Sequence, residues 1–299
     1  MISVIVCTYN RDKYIYECLS RLAANITDIQ WELLLIDNRS TDKTAAECQR
    51  FEAEFTPSNY RYVLEEHQGL SYARNRGIRE AGGEWLVFLD DDAFVRPDYI
   101  QCLNEYISSL PEMHAFGGRI IPLYETGAAP GWLCRWNRSW LSAIDKGDTV
   151  CLFSDTEYPI GANMGIRADY ARQCGMFSTE LGRTGKNLMG GEEKDYFNRL
   201  KTIGANIYYL PDICVEHCIP ESRTTFDYIR RFGAGIGSSE RARTKNIGTG
   251  AYIKRCLSEA VKWAGTLVLA LYYSILRKGE CAKSLIIFRA QVTKHLILG

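Results

Sequence analysis

The 299-residue sequence has no excess of charge of either sign. Lys and Arg together number 36, as do Asp and Glu, so the formal net charge is zero. A dedicated nucleic-acid-binding protein would carry a basic excess, and the balance therefore argues against a nucleic-acid partner. Any binding of phosphate must come from a local site.

The sequence also lacks the glycine-rich loops that cradle phosphates in two large classes of nucleotide-binding protein. The first apolar segment, residues 2–7, leads into Thr8-Tyr9-Asn10-Arg11. That tetrapeptide contains neither the Gly-x-Gly-x-x-Gly pattern of dinucleotide-binding folds nor the lysine of a P-loop. The sequence therefore lacks the phosphate-binding element of both classes.

Signals for secretion and for membrane spanning are missing as well. The 11 cysteines are odd in number and scattered through apolar segments, which is typical of reduced thiols rather than a disulfide framework. The sequence opens on a strand-like apolar segment without a cationic start, so we expect a cytoplasmic location, extending to the inner face of the cell membrane if the C-terminal part contacts lipid. The apolar stretch at 261–276 is too short and interrupted to span a bilayer.

What the sequence does contain is a regular alternation of strands and helices. Apolar strand patterns at 2–7, 31–36, 60–64 and 85–89 alternate with helical patterns at 11–24, 42–55 and 70–81. Such alternation predicts an α/β fold with a Rossmann-like, mostly parallel sheet flanked by helices. Beyond residue 97 the alternation loosens, and from 226 onward the sequence is again mostly helical.

Polar residues follow the predicted strands at the edge where open parallel sheets bind ligands. Three consecutive carboxylates, Asp90, Asp91 and Asp92, end the fourth strand. Adjacent carboxylates repel one another, and a divalent cation such as Mg²⁺ or Mn²⁺ is their natural partner. The competing interpretation is a solvated acidic turn before the next helix.

At this point the sequence resembles the inverting family 2 glycosyltransferases, which have the GT-A fold. The matching segments are VIVCTYNR (4–11), LIDNRS (35–40), GLSYARNRGI (69–78), GEWLVFLDDD (83–92), GANM (161–164), LGR (181–183), GGEEKD (190–195), YLP (209–211) and EH (216–217). The resemblance implies a nucleotide-sugar-binding half at 1–110, an acceptor-binding and catalytic half at 111–231, and a helical C-terminal extension at 232–299.

The resemblance also implies roles for individual residues. A divalent metal, Mn²⁺ or Mg²⁺, is expected on Asp90, Asp92 and His217. The donor nucleotide is expected to contact Cys7, Thr8, Tyr9, Asn10, Arg11, Asp37, Asn38, Arg74, Asp90 and Asp91.

The general base is expected in the acidic cluster near residue 193. Family members usually carry Glu-Asp where this chain has Glu192-Glu193, and the second acid is the expected base. Glu193 is therefore the first candidate, with Glu192 and Asp195 as alternatives. In the competing interpretation these acids only stabilise the N-terminus of a helix through its dipole.

Together these features predict transfer of a sugar, with inversion, from a UDP-sugar to a saccharide or lipid-linked acceptor in glycan or polysaccharide biosynthesis. One alternative is a metal-dependent sugar-phosphate nucleotidyltransferase, which would need a glycine-rich basic loop after the first strand. Another is a carbohydrate-binding protein without activity, which would not need intact acidic sites.

Two aromatic or apolar features have both a functional and a structural interpretation. Trp132, Trp136 and Trp140 recur every four residues and would form one face of a helix, for sugar stacking, core packing or lipid contact. The apolar stretch 261–276 is flanked by cations and predicts either an interfacial anchor in peripheral contact with a membrane or a core helix; the cations are Lys254, Arg255, Lys262, Arg277 and Lys278.

Overall fold

The computed structural model describes residues 1–181 and 191–298, and the chain divides into two compact units. The first unit comprises 1–122, 142–179 and 192–218, and the second comprises 123–141, 180–191 and 219–299. The predicted division into 1–110, 111–231 and 232–299 stays a prediction. Gly182, Arg183 and Gly190 of the matching segments lie outside the described residues.

The first unit begins with the predicted alternation of strand and helix. Its elements are β1 (Ile2–Thr8), α1 (Ile15–Ala23), β2 (Trp31–Asp37), α2 (Thr44–Phe55), β3 (Tyr60–Leu64), α3 (Leu70–Glu80) and β4 (Trp85–Asp90). Strand β1 lies between β2 and β4 and is parallel to both, and β3 extends the parallel sheet beyond β2.

The remainder of the sheet contains antiparallel strand pairs. The later elements are β5 (Ala93–Val95), α4 (Tyr99–Ser109), β6 (Ala115–Tyr124), β7 (Cys151–Leu152), β8 (Asn163–Arg167), α5 (Ala168–Cys174), α6 (Glu192–Thr202) and β9 (Ile207–Ile219). The strand order is β3-β2-β1-β4-β8-β6-β9-β5, with β7 paired to β9. Strand β8 runs antiparallel to β4, which is where the sheet changes direction.

Burial on both faces explains why β1 and β2 read as continuous apolar runs. Val4 and Val6 pack into an apolar cluster on one side of the sheet, and Ile5 packs into a second cluster on the other side. Successive side chains of a strand point to opposite faces, so a sheet covered on both sides needs apolar residues at every position.

Strand β9 extends well beyond the apolar segment at 207–210. It continues through Pro211 and the exposed Asp212 to Ile219, and so places His217 within the sheet. The proline and the aspartate interrupt the apolar pattern, so the full length of this strand is not evident from the sequence.

The second unit is built mainly from long helices, α7 (Phe226–Ile247), α8 (Thr249–Ile275) and α9 (Gly279–Ile297). Buried aromatic and aliphatic side chains from these helices pack with the 123–141 segment. The three tryptophans of that segment do not form a single helix face: Trp132 and Trp140 are buried in this core, whereas Trp136 is 59% exposed. Core packing is therefore confirmed for two of them.

Across the described ranges, no helix is both long enough and apolar enough to cross a bilayer. The cysteines follow the prediction from the sequence, since all 11 are free.

Gly118 on β6 lies so close to neighbouring atoms that no side chain fits there, and this predicts the effect of replacing it. A Cβ atom on Gly118 would lie 2.1 Å from the carbonyl oxygen of Ile213 and 2.2 Å from Nδ2 of Asn163. Gly118→Ala should therefore lower the free energy of unfolding by about 2 kcal/mol or more. Gly265→Ala is the matched control, at a helix position where no described atom outside the local helix backbone lies within 4 Å, and it should be neutral or stabilising by up to about 1 kcal/mol. Urea unfolding measures both, and equal effects would contradict the packing argument.

Candidate active site

The parallel strands bring the predicted polar residues to one edge of the sheet. Thr8 at the end of β1 pairs in register with Asp37 at the end of β2, and Cys7 pairs with Asp90 at the end of β4. Residues that lie far apart in the sequence are therefore neighbours at the carboxyl ends of the strands. Burial raises the pKa of the Cys7 thiol to about 12, so this side chain is neutral.

The loop after β1 is fastened to the loop after β2. The Asn10 Oδ1 atom accepts a hydrogen bond from the Thr41 amide (2.7 Å), and the Asn10 amide donates to Ser40 Oγ (3.0 Å). Asn10 has a positive φ of 54°, a conformation that asparagine adopts more readily than most residues. The loop that carries half-buried Tyr9 and Arg11 is thereby held in one arrangement.

Asp37 and Asn38 are both buried, but their side chains make different hydrogen bonds. Asp37 accepts hydrogen bonds from the Ser40 amide (2.9 Å) and from the Tyr62 hydroxyl. The Asn38 amide group donates to the carbonyls of Glu65 (3.1 Å) and His67 (2.6 Å), while its oxygen accepts from the Gly69 amide (2.7 Å). Asn38 thus shapes the loop that leads into α3, and both of its side-chain hydrogens are used there.

Arg74 of α3 joins carboxylates from two parts of the first unit. Its buried guanidinium donates to Oε1 of Glu192 (3.0 Å) and Oε1 of Glu193 (2.9 Å), at the start of α6. It also lies 3.9 Å from an Asp90 carboxylate oxygen. Arg74 therefore connects the predicted base to the acidic triplet.

Gly161 completes this cluster, and the sequence alone did not assign it a role. Its amide donates to Oε1 of Glu193 (2.9 Å), and a Cβ atom at this position would lie 1.9 Å from Nη2 of Arg74. Only glycine allows the backbone to approach both groups this closely. The sequence signal that points to this position is the matching segment GANM (161–164), in which Gly161 lies.

The electrostatics of the cluster single out Glu193 among the three candidate bases. Burial raises the pKa of its carboxyl from 4.5 to about 7; the cation of Arg74 opposes this shift, and the carboxylates of Glu192 and Asp90 add to it. A base works best when its pKa lies near the working pH. Asp195, by contrast, is ion-paired with Arg199 one turn later on α6 (2.9 Å).

The three predicted metal ligands come together because β5 pairs with β9. Ala93 lies opposite His217 in this pairing, which places the buried imidazole beside the acidic triplet, with Nε2 3.0 Å from Oδ1 of Asp92. Ligand atoms of Asp90, Asp92 and His217 all lie within 4.8 Å of one another. Two carboxylates and an imidazole suit a divalent cation such as Mn²⁺, so the residues fit the expected metal.

Arg11 compensates part of the negative charge of the triplet. Its guanidinium lies 3.3 Å from an oxygen of Asp91 and 3.5 Å from an oxygen of Asp92. Burial raises the pKa of Asp91 to about 7, against the lowering effect of Arg11. The same pairing, with Asp91 foremost, raises the pKa of Arg11 itself, so its charge is permanent.

Residues 3–175 match the family model described as glycosyl transferase family 2. The chain belongs to this family. The match includes the strand-end residues and the acidic triplet but ends before α6 and His217. As a family 2 member the chain is a glycosyltransferase, which confirms the resemblance and replaces the nucleotidyltransferase and non-catalytic alternatives.

Two curated relatives of this glycosyltransferase extend the similarity beyond the matched segment. A glucosyl-dolichyl phosphate glucuronosyltransferase of Haloferax volcanii is 25% identical over 240 residues, covering 76% of this chain and 72% of that protein. The succinoglycan biosynthesis protein ExoM of Rhizobium meliloti is 28% identical over 240 residues, covering 78% and 72%.

Solved glycosyltransferase structures share the fold. The mannosyltransferase PcManGT from Pyrobaculum calidifontis, in complex with GDP-Man and Mn²⁺, superposes with a TM-score of 0.62 at 18% identity, over 99% of this chain and 87% of that one. S. aureus TarS 1-349 in complex with UDP gives 0.53 at 18% identity, over 98% and 90%. The GT-A fold predicted from the sequence is confirmed.

The raised pKa of Glu193 predicts a measurable dependence of stability on pH. Between pH 4.5 and about 7 the folded protein holds more of this proton than the unfolded chain does, so the contribution of Glu193 to stability is complete below 4.5 and is lost as the pH rises through 7. Glu193→Gln should therefore flatten the fall in melting temperature between pH 5 and about 7.5. A variant with the same slope as the wild type would contradict the assignment. Asp91, with a pKa also raised to about 7, should leave a residual slope.

Proposed function

We propose that this glycosyltransferase is a metal-dependent, inverting enzyme that transfers a sugar from a UDP-sugar to an acceptor hydroxyl. The observation that carries the proposal is the connection through Arg74, which joins a carboxyl of pKa about 7 and the Asp90, Asp92 and His217 cluster in one network. Such a network holds a proton acceptor and a site for the departing diphosphate in fixed relation to each other.

Asp90, Asp92 and His217 are the residues that would hold the metal. A divalent cation bound there would supply positive charge that offsets the charge developing on the leaving nucleoside diphosphate. The Nδ1 atom of His217 is buried, and within 1–181 and 191–298 it has no hydrogen-bond partner. An orphaned buried nitrogen is costly, and a ligand role for the imidazole accounts for its retention.

Glu193 is the group that we propose to accept the proton. The acceptor hydroxyl gives its proton to the carboxylate as its oxygen bonds to the anomeric carbon, while the bond from that carbon to the diphosphate oxygen breaks. Attack opposite the leaving group inverts the anomeric configuration. Arg74 and the Gly161 amide both donate to Oε1 of Glu193, which fixes the carboxylate and leaves Oε2 for the hydroxyl.

The donor nucleotide is proposed to lie along the edge formed by the ends of β1, β2 and β4. Cys7, Thr8, Tyr9, Asn10, Arg11, Asp37, Asn38, Arg74, Asp90 and Asp91 stay predicted contacts. The rigid Asn10 loop and the buried Asp37 carboxylate support this placement, since preformed polar groups at strand ends suit a nucleotide. UDP is proposed as the nucleotide, and GDP is the competing donor because PcManGT is described with GDP-Man.

The acceptor is proposed to be a saccharide or a lipid-linked saccharide, with the enzyme in peripheral contact with the membrane that carries it. Support comes from the Haloferax relative, whose name includes dolichyl phosphate, and from the Rhizobium relative, which is named for succinoglycan biosynthesis. A cytoplasmic location at the inner membrane face remains part of this proposal.

The metal site is tested by Asp92→Asn. The substitution keeps the size of the side chain but removes a charged ligand, so metal-dependent binding of UDP should fall by about 100-fold or more while the melting temperature changes little. Calorimetric titration with UDP in the presence and absence of Mn²⁺ measures this. Asp28→Asn, at an exposed position in the loop between α1 and β2, is the control and should bind as the wild type does. Unchanged affinity in Asp92→Asn would remove this residue from the metal site.

The base is tested by three isosteric changes measured side by side. Glu193→Gln should retain donor affinity and lower turnover by about 100-fold or more, which is the usual effect of losing a general base. Glu192→Gln and Asp195→Asn should have smaller effects, because the pKa of about 7 that suits a general base belongs to Glu193. The donor is first found by a thermal-shift screen of nucleotide sugars with Mn²⁺. If the change at Glu192 or Asp195 lowers turnover the most, that residue is the base. Full activity in all three variants would exclude general-base catalysis by this cluster.

A further inference from the structure

Helix α8 of the second unit has an apolar face that the rest of the described chain does not cover. Its exposed large side chains are Ile253 (52%), Leu257 (69%), Val261 (76%), Leu267 (56%), Val268 (67%), Leu271 (64%), Tyr272 (53%) and Ile275 (71%). We call these eight residues the outer face of α8. Single exposed aliphatic residues are ordinary, but a contiguous set of this size marks an interaction surface.

The spacing of these residues shows that they form one continuous stripe. Positions 253, 257, 261, 268, 271 and 275 are separated by three, four or seven residues, which is the repeat of one helix face. From residue 253 to residue 275 the stripe is roughly 33 Å long at 1.5 Å per residue. It runs along nearly all of α8 and is convex, so it resembles no pocket for a small ligand.

Two charged residues of α8, Glu259 and Arg255, face inward, whereas a surface helix usually directs its charged residues to solvent. Buried Glu259 accepts hydrogen bonds from Arg255 of the same helix, from Arg289 (3.3 Å) and from Thr293 (3.1 Å) of α9. Arg255 also pairs with Glu240 of α7 (2.8 Å). Ion pairs and hydrogen bonds therefore attach α8 to its neighbours, while its most apolar side is left in contact with solvent.

We infer that the outer face of α8 binds the headgroup–acyl boundary of an anionic membrane, with the helix lying in the plane of the membrane. This inference rests on the proposed function for its membrane-proximal acceptor, and it assigns the contact to particular residues. An apolar stripe that is too short to span a bilayer and lies on one side of a helix is the form that interfacial helices take.

The charges on α8 favour an anionic lipid surface over a second copy of this chain. The only acid in α8 is Glu259, which is buried, whereas Lys254 is exposed and Lys262 is partly so. Arg277 and Lys278 are exposed directly after the helix. Cations beside an apolar stripe meet anionic headgroups while the stripe enters the acyl boundary. Two copies joined through this face would bring these like charges together.

The experiment is vesicle flotation of the full chain, using vesicles of phosphatidylcholine with and without phosphatidylglycerol. The wild type should float with the anionic vesicles. The combined change Leu257→Glu, Val261→Glu and Val268→Glu should weaken partition by at least about 100-fold, because each apolar contact is replaced by a charge that lipid rejects. Ile26→Glu with Leu152→Glu, at exposed apolar positions of the first unit, is the matched control and should float as the wild type does.

A second pair of variants separates apolar contact from charge and protects against misfolding. Replacing the same three positions of α8 by Ser should also abolish flotation while leaving the melting temperature within a few degrees of the wild type. Lys254→Gln, Arg277→Gln and Lys278→Gln together should lower binding to anionic vesicles and should remove most of its dependence on salt.

Several outcomes would overturn the assignment. A wild-type chain that stays out of both vesicle types, folded Ser variants that float normally, or a dimer in solution that the α8 substitutions dissociate would each exclude a lipid surface on this face. Turnover of the donor with a water-soluble acceptor is measured separately on the wild type without lipid. Failure of lipid binding is therefore distinguishable from failure of the proposed transfer reaction.

Discussion

The candidate site depends on one buried cation, the guanidinium of Arg74. It neutralises Glu192 and Glu193 at the start of α6 and approaches Asp90 at the end of β4. Without it, the buried carboxylate of Glu192 and the partly buried carboxylate of Glu193 would lie together with no compensating cation, which is unfavourable. Several features of the surroundings follow from this need, including the glycine at 161 and the aromatic ring of Phe177, 5.5 Å from the guanidinium.

The negative charge of the acidic triplet must also be compensated, and the nearby arginines compensate only part of it. Arg11 pairs with Asp91 and Asp92, and Arg74 lies near Asp90, so two arginines face three aspartates and two glutamates. The remaining negative charge can be compensated in two ways, by a proton on a carboxyl of raised pKa or by a bound cation. Both are useful to a glycosyltransferase, since a raised pKa makes the deprotonated carboxylate a stronger proton acceptor and a bound cation prepares a site for a charged leaving group.

The sequence predicts the parts of this arrangement that depend on short-range patterns. The apolar strands, the helices between them and the acids at the end of β4 are all readable, because a parallel sheet buried on both faces demands apolar runs and places strand ends together. Contacts between distant segments leave no such pattern. The role of Asn38 in the loop before α3 and the bond from the Gly161 amide to Glu193 depend on side-chain directions that only the folded chain defines.

The direction in which the apolar side of α8 points also depends on contacts between distant segments, and the sequence does not predict it. Its sequence is apolar with scattered cations, and an outward-facing and an inward-facing helix of this composition look alike. The structure separates them because Glu259, Arg255 and Arg289 form ion pairs inside the second unit. A helix held by these bonds does not need its aliphatic residues for packing within the chain, so those residues are available for a surface outside it. The buried ion pairs of α8 and its exposed aliphatic side chains thus have a single cause, the inward placement of Glu259 and Arg255.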